Sequence, residues 1–108
     1  MEKKLGKISH ASFGFGGYQD AQIGLSLRFC MDGTGCGTFY GAWGIDRSDY
    51  AEWTEEDRIN QLGETVMKLR DLLRQAKVKD VSELVDIPVE VTFEGMTFKD
   101  FRILTEVL

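Results

Sequence analysis

The stretch Gln22-Ile23-Gly24-Leu25-Ser26-Leu27-Arg28-Phe29-Cys30-Met31 alternates apolar and polar side chains along its length. This period of two predicts a strand with one buried face. Asp32-Gly33-Thr34-Gly35 follows, and its glycines can adopt the positive φ of a tight connection. Beyond it, a second alternating face is shared by Phe39, Gly41, Trp43 and Ile45. The pattern therefore predicts a β-hairpin over about residues 21–45.

A weaker strand pattern precedes this hairpin, from Leu5 to Phe13. It ends in Phe13-Gly14-Phe15-Gly16-Gly17-Tyr18, where three glycines predict a sharp turn or a bulge. A P-loop would need Gly-Lys-Ser/Thr at the start of a helix, and a dinucleotide fingerprint would need a third spaced glycine entering a helix. A structural turn is the favoured interpretation of this segment, and a backbone nest for an anion is the alternative.

A helix is predicted to begin at Trp53-Thr54-Glu55-Glu56-Asp57. Thr54 can cap its free N–H groups, the three acids suit the positive end of the helix dipole, and Asp57 stands where a capping box usually has Glu or Gln. Gly63 costs about 1 kcal/mol relative to alanine, which suggests a close contact between helix and sheet. One apolar stripe runs to about Lys77, through Ile59, Leu62, Val66, Leu69, Leu73 and Ala76.

The remaining residues predict a short capped turn over Asp80–Val85 and a strand over Ile87–Phe93 that has Pro88 at its beginning or on an edge. Glu94-Gly95 then turns the chain into a last strand within Met96–Val107. The expected fold is α+β, in the order β-β-β-α-β-β, as a single domain over residues 1–108. One long helix packs on one face of a largely antiparallel five-stranded sheet. Since no second helix covers the other face, we expect a homodimer formed through that face or through an unpaired edge strand.

Composition excludes several classes of protein. The chain has 108 residues, 43% of them hydrophobic, and a formal net charge of -5. The acidic balance argues against nucleic-acid binding, and the lack of a long apolar stretch argues against a membrane span or a secretory peptide. A cytoplasmic protein without a membrane partner is expected. The only cysteines, Cys30 and Cys36, are expected to be reduced structural thiols.

Neither catalysis nor metal binding is indicated. His10 is the only histidine, and no serine or cysteine can be paired with it from spacing alone. Glu55 to Asp57 already have the helix dipole as their explanation, and the spacing of the acids matches no calcium loop. We therefore expect no metal, no cofactor and no enzymatic activity. The acids considered for a cation site are Asp46, Asp49, Glu52, Glu55, Glu56 and Asp57.

Four segments carry a resemblance to a known group. They are Phe13–Ala21, Gly37–Trp43, Trp53–Arg58, and Val89–Gly95 continuing to Arg102–Val107. In these segments, and over nearly the whole chain, the sequence resembles small uncharacterised proteins of tailed phages and prophages. Such accessory proteins commonly bind host components, including defence systems. The resemblance therefore implies a phage or prophage origin, a location in the cytoplasm of the host bacterium, and a binding role.

The aromatic and glycine-rich first half is the feature that a plain fold does not require. Many of its rings can fill a small core, and Phe29, Phe39 and Trp43 are expected beneath the helix. The others can border a ligand pocket or a partner surface. By contrast, Lys68, Arg70, Asp71 and Arg74 have mixed signs at helical spacings, which is typical of a solvated face. The predicted binding residues are Phe15, Gly16, Gly17, Tyr18, Tyr40, Tyr50 and Trp53.

The leading functional hypothesis is a nonenzymatic phage or prophage protein that binds and inhibits a host protein, such as an antiviral defence component. The alternative is a sponge that encloses a small, nucleotide-like signal between glycine backbone and aromatic rings. An unrecognised hydrolase is a remote third reading, and single-stranded nucleic acid is disfavoured because the basic residues are scattered.

Overall fold

The computed structural model describes residues 1–45 and 51–108. One five-stranded sheet has the order β3-β2-β1-β4-β5, with every neighbouring pair antiparallel. The predicted order of elements and the α+β class are confirmed. In chain order the strands and the helix are β1 (Glu2–Gly16), β2 (Gln22–Met31), β3 (Thr34–Trp43), α1 (Glu55–Ala76), β4 (Pro88–Glu94) and β5 (Thr97–Ile103), and short 3₁₀ turns cover Tyr18–Asp20, Val81–Leu84 and Thr105–Val107.

Strand β1 is longer than predicted and divides the sheet into two parts. Its first residues pair with β4 and its remainder pairs with β2, and the register shifts between Ile8 and His10. The main chain of Ile8 is bonded to the segment before β4, since its N–H donates to Ile87 at 3.0 Å and its carbonyl accepts from Asp86 at 2.7 Å. A bulge bends its strand and increases the local twist. This bulge at Ser9 was not predicted, and β1 continues beyond it to Gly16, where the predicted turn follows.

The sheet curls strongly around the core. Phe98 and Phe101 belong to β5, at one edge of the sheet, yet the ring centre of Phe98 lies 5.7 Å from that of Phe29 in β2. Phe101 lies 4.7 Å from the same ring. Ile8, Leu25, Leu27 and Leu84 are also buried in this core. The bend in β1 allows the β4–β5 hairpin to fold over the middle of the sheet.

The β2–β3 hairpin corrects one expectation about the core. Asp32 and Gly33 form a two-residue turn, with Gly33 at φ +76°, and the register places Ser26 opposite Phe39 and Gln22 opposite Trp43. Phe39 and Trp43 therefore lie on the face of the sheet away from the helix. Phe29 is buried beneath the helix as expected, but its partner across the hairpin is Cys36. Consequently the two free cysteines, Cys30 and Cys36, lie on opposite faces.

Helix α1 has the predicted capping. The Thr54 hydroxyl accepts from the Asp57 N–H, and the Asp57 carboxylate accepts from the Thr54 N–H, each at 3.1 Å. Asp57 thus completes a capping box in place of Glu or Gln. At the other end Lys77 adopts the left-handed conformation, with φ +61°.

The buried face of α1 is rotated relative to the predicted stripe. Thr65, Leu72 and Ala76 are buried, whereas Ile59 and Val66 are 63% and 57% exposed. Thr65 can be buried because its hydroxyl donates to the Gln61 carbonyl at 2.8 Å, so its polar atom is satisfied within the helix. Leu69 and Leu73 pack at the margin of the core.

The expectation for Gly63 is wrong. A Cβ at this position would meet no atom within 4 Å, and the residue is exposed on the side of α1 away from the sheet. Within the described residues, no helix is long and apolar enough to cross a membrane.

Candidate functional site: the cleft between β3 and α1

A cleft of about 400 Å³ separates the edge strand β3 from the side of helix α1. This volume lies within the range of small-ligand and peptide pockets. Tyr40 is the one predicted binding residue in it. The cleft is lined by Phe39, Tyr40 and Gly41 from β3 and by Gln61, Glu64, Thr65 and Lys68 from α1.

The β3 side of this cleft exposes main-chain hydrogen-bonding groups. The N–H of Gly44 donates to the carbonyl of Ala21 at 2.9 Å, and the same antiparallel register continues along β3. In such a ladder alternate residues bond to the neighbouring strand. Tyr40 and Ala42 therefore bond to β2, while the positions between them direct their N–H and C=O groups outward. In the part of the chain that the structure describes, no hydrogen bond occupies these outward groups at Gly35, Gly37, Phe39 and Gly41.

Tyr40 forms the floor of the cleft. Its ring lies on the helix-facing side of the sheet, and the Lys68 ammonium is 4.9 Å from the ring centre and 5.5 Å from that of Phe101. Burial raises the pKa of the Tyr40 hydroxyl, the negative charge of Asp100 raises it further, and a hydrogen bond with Thr38 partly opposes both. Tyr40 therefore keeps its proton at neutral pH and can both donate and accept a hydrogen bond.

Phe39 supports the cleft from the opposite face. A Cβ on Gly41 would lie 2.3 Å from the Phe39 ring, and one on Gly16 would lie 3.0 Å from it. The ring therefore lies flat across the glycines, as aromatic residues do when they cover glycine positions in sheets. This packing requires glycine at position 41, because a side chain there would collide with the Phe39 ring on the face away from the helix.

Four predicted binding residues, Phe15 to Tyr18, surround the β1–β2 connection. Phe15 and Tyr18 are 65% and 73% exposed, and Gly17 has φ +70°. Gln19 and Asp20 also have positive φ, at 54° and 53°, a conformation that side chains seldom adopt. The structure thus confirms a tight turn here, and the role of these residues in binding stays a prediction.

Trp53 packs at the same end of the sheet. Its ring lies 5.9 Å from that of Trp43 with 13° between the planes, and the Arg58 guanidinium is 6.0 Å from its centre. Arg58 also donates to the Ile45 carbonyl at 3.2 Å and pairs with Glu55. This cluster connects the start of α1 to the end of β3. The remaining predicted residue, Tyr50, lies outside the described residues, as do Asp46 and Asp49.

His10 has a serine neighbour that spacing did not indicate. Its Nε2 lies 3.3 Å from the Ser12 Oγ, because residues two apart on a strand share a face and the register is regular from His10 onward. Both side chains lie on the face of the sheet away from the helix, and no described carboxylate bonds to the imidazole. A nucleophile and base are normally supported by a third group and a pocket. Within residues 1–45 and 51–108, no three His, Cys, Asp or Glu side chains cluster as metal ligands would.

The helix side of the cleft was missed by the sequence analysis. Lys68 was placed on a solvated face, but it lies half-buried over two aromatic rings. Glu64 and Gln61 were not singled out at all. One signal was present, since Lys68 is three residues after Thr65 and four before Leu72, both buried. A long amphipathic side chain at such a position covers apolar surface with its stem.

The fold and the cleft define a class of small α+β domain in which an unpaired edge strand borders a helix. Comparison of the chain with protein-family models, with curated proteins and with solved structures finds no match.

Proposed function

We propose that this protein is a nonenzymatic binding protein that captures an extended segment of a partner protein on the edge of β3, beside α1. The observation that carries the proposal is the row of unoccupied main-chain groups at Gly35, Gly37, Phe39 and Gly41 along the edge of β3 that borders the cleft. An added strand can bond to such a row, and the adjacent cleft can receive its side chains.

The cleft supplies selectivity for the captured segment. Side chains of an added strand alternate between the two faces, so every second one enters the space between β3 and α1. There it meets the Tyr40 ring, the Lys68 ammonium and the Glu64 carboxylate. A flat apolar side chain fits against the ring, and neighbouring polar groups of the segment can pair with either charge.

The resemblance to phage proteins supports a bacterial host protein as the partner, with inhibition as the result of capture. The formal net charge of -5 favours association with a basic target, because complementary potentials increase the association rate. A host nuclease or another nucleic-acid-processing protein would offer such a target, because the surface that binds the phosphate backbone is basic. Neither nucleic acid nor a membrane is required for this role.

The test uses a tagged protein expressed in bacterial cells, with the retained partner identified by mass spectrometry. Amide exchange is then measured residue by residue by NMR, with and without that partner. Strand addition protects the outward amides of Gly37, Phe39 and Gly41, which exchange quickly in the free protein. The amides of Thr38 and Tyr40 are already bonded to β2 and change little. Uniform protection along β3, or none, would contradict the proposal.

A pair of charge reversals tests the cleft itself. Lys68→Glu should weaken binding by about 2 kcal/mol, the scale of an interface hot spot. Lys79→Glu makes the same change in charge outside the cleft and should leave the affinity nearly unchanged. Thermal melting shows whether each variant remains folded. Tyr18→Ser tests separately whether the β1–β2 turn also contacts the partner, as the sequence predicts.

A small-molecule sponge is the second candidate, and the observation that favours it is the cleft volume of about 400 Å³ beside Tyr40 and Lys68. An aromatic ring and a cation suit a planar anionic ligand such as a nucleotide-like signal. Mass spectrometry of the denatured, purified protein would then detect the ligand. In NMR a ligand of this kind perturbs Tyr40, Glu64 and Lys68 without the alternating amide protection along β3.

A further inference from the structure

The outward side of helix α1 carries an apolar patch where an ordinary surface helix is polar. Ile59, Val66 and Met67 are 63%, 57% and 47% exposed, and Gly63 lies between them with open space above it. At 100° per residue these four positions fall within one arc of the helix, opposite the buried Thr65 and Leu72. We refer to Ile59, Gly63, Val66 and Met67 as the α1 crest.

The crest has the symmetry of a surface that pairs with itself. Ile59 lies four residues before Gly63, and Met67 lies four residues after it. In two antiparallel helices related by a two-fold axis at Gly63, each Ile59 faces the Met67 of the other copy. A residue without a side chain at the crossing point allows the two backbones to approach closely. Two-fold contacts of this kind use the same patch on both copies.

The charges at the two ends of the crest are complementary in the same arrangement. Glu56 lies seven residues before Gly63 and Arg70 lies seven residues after it, so both lie near the centre of the crest's arc. The two-fold axis places Glu56 of each copy opposite Arg70 of the other. In the monomer Arg70 bonds to its neighbour Asp71 at 3.0 Å, an exposed pair that contributes little and can rearrange.

We infer that the occupant of the α1 crest is a second copy of this chain, bound through antiparallel α1 helices that cross at Gly63. This contact differs from the sheet face or edge strand that the sequence suggested for a dimer. The inference does not rest on the proposed function, because none of the four crest residues lines the cleft between β3 and α1. A standard interface buries about 800 Å² per partner, so a patch of three side chains supports a weak dimer that depends on concentration.

Gly63→Arg is the decisive variant. The added side chain extends into open space in the monomer, so the variant should melt at or above the temperature of the unchanged protein. In the dimer it prevents the close crossing, and the dissociation constant should rise at least about tenfold. Gln75→Arg is the matched control, since it adds the same charge at an exposed position of α1 outside the crest. Sedimentation from micromolar to hundreds of micromolar concentration measures each constant.

A charge exchange separates pairing between copies from a merely structural effect. Glu56→Arg alone places two arginines together and should weaken the dimer, and Arg70→Glu alone should do the same with two carboxylates. The double variant restores opposite charges and should return the dissociation constant to within about threefold of the original value. A protein that stays monomeric at every concentration, a dimer that persists in Gly63→Arg, or a double variant without recovery would each overturn the inference.

Discussion

The rings of Tyr40 and Phe101 lie 6.5 Å apart, although their strands form opposite edges of the five-stranded sheet. The bulge in β1 makes this contact possible because it bends the sheet around the core. Lys68 extends from α1 over both rings and joins the helix to the two edges. The cleft proposed as the binding site therefore rests on contacts between three elements that are distant in sequence.

Removing the Tyr40 ring should destabilise the fold and not only the cleft. Tyr40→Ala loses the contacts with Phe101 and Lys68, and we expect a cost of about 2 kcal/mol, roughly half of that for a fully buried aromatic residue. Tyr40→Phe keeps the ring and should change the free energy of unfolding by less than about 1 kcal/mol. Urea denaturation measures both values. Equal stability of the two variants would show that the ring contributes nothing.

Tyr40 should also make stability fall at alkaline pH. Its pKa in the folded state lies above the ordinary value of 10.0, because burial and Asp100 disfavour the tyrosinate. When folding raises the pKa of a group, the folded state holds the proton more tightly than the unfolded chain does. The resulting stability is fully present below the unfolded-state pKa and is lost as the pH rises through the folded-state pKa. The free energy of unfolding, measured between about pH 9 and pH 12, should thus decline less with rising pH in Tyr40→Phe than in the unchanged protein. Parallel curves would exclude this origin.

Gly14 and Gly24 face each other across β1 and β2, and replacing each by alanine should change the stability of the protein in opposite directions. A Cβ on Gly24 would lie 2.1 Å from the Tyr40 carbonyl oxygen and 2.5 Å from the Gly41 Cα, and neither backbone atom can move freely. Gly24→Ala should cost about 3 kcal/mol. Gly14→Ala meets nothing within 4 Å and should stabilise by about 0.5 kcal/mol, because alanine restricts the unfolded chain. Thermal melting of the two variants distinguishes these outcomes.

The rotation of α1 is tested by two substitutions on different sides of the helix. Leu72 is 4% exposed, so Leu72→Ala should cost about 3 kcal/mol through lost contacts and a residual cavity. Val66 belongs to the crest, and Val66→Ala should stay within about 0.5 kcal/mol in the monomer. Unfolding at low protein concentration avoids any contribution from self-association. A larger loss for Val66 than for Leu72 would restore the stripe predicted from the sequence.

Local patterns in the sequence were sufficient for the elements and their order. The alternation in Gln22–Met31 defines a strand because side chains on a strand point to opposite faces in turn. Thr54 and Asp57 mark the start of the helix because their side chains satisfy its free N–H groups, and Gly33 marks the turn because it accepts positive φ. Each of these signals acts within a few residues, and each was confirmed.

Tertiary structure alone decided which faces these elements present. In β3, the faces depend on the register of the hairpin, which a connection predicted only as Asp32–Gly35 did not define. The observed two-residue turn pairs Phe29 with Cys36 and places Phe39 and Trp43 on the face away from the helix. In α1, the predicted stripe placed Ile59 and Val66 toward the sheet, but the helix is rotated so that Thr65 and Leu72 are buried instead. Alternation and helical spacing show that an element has two sides, but the partner that covers one side is chosen by packing between distant segments. The cleft at Tyr40 and the exposed crest at Gly63 both follow from that choice.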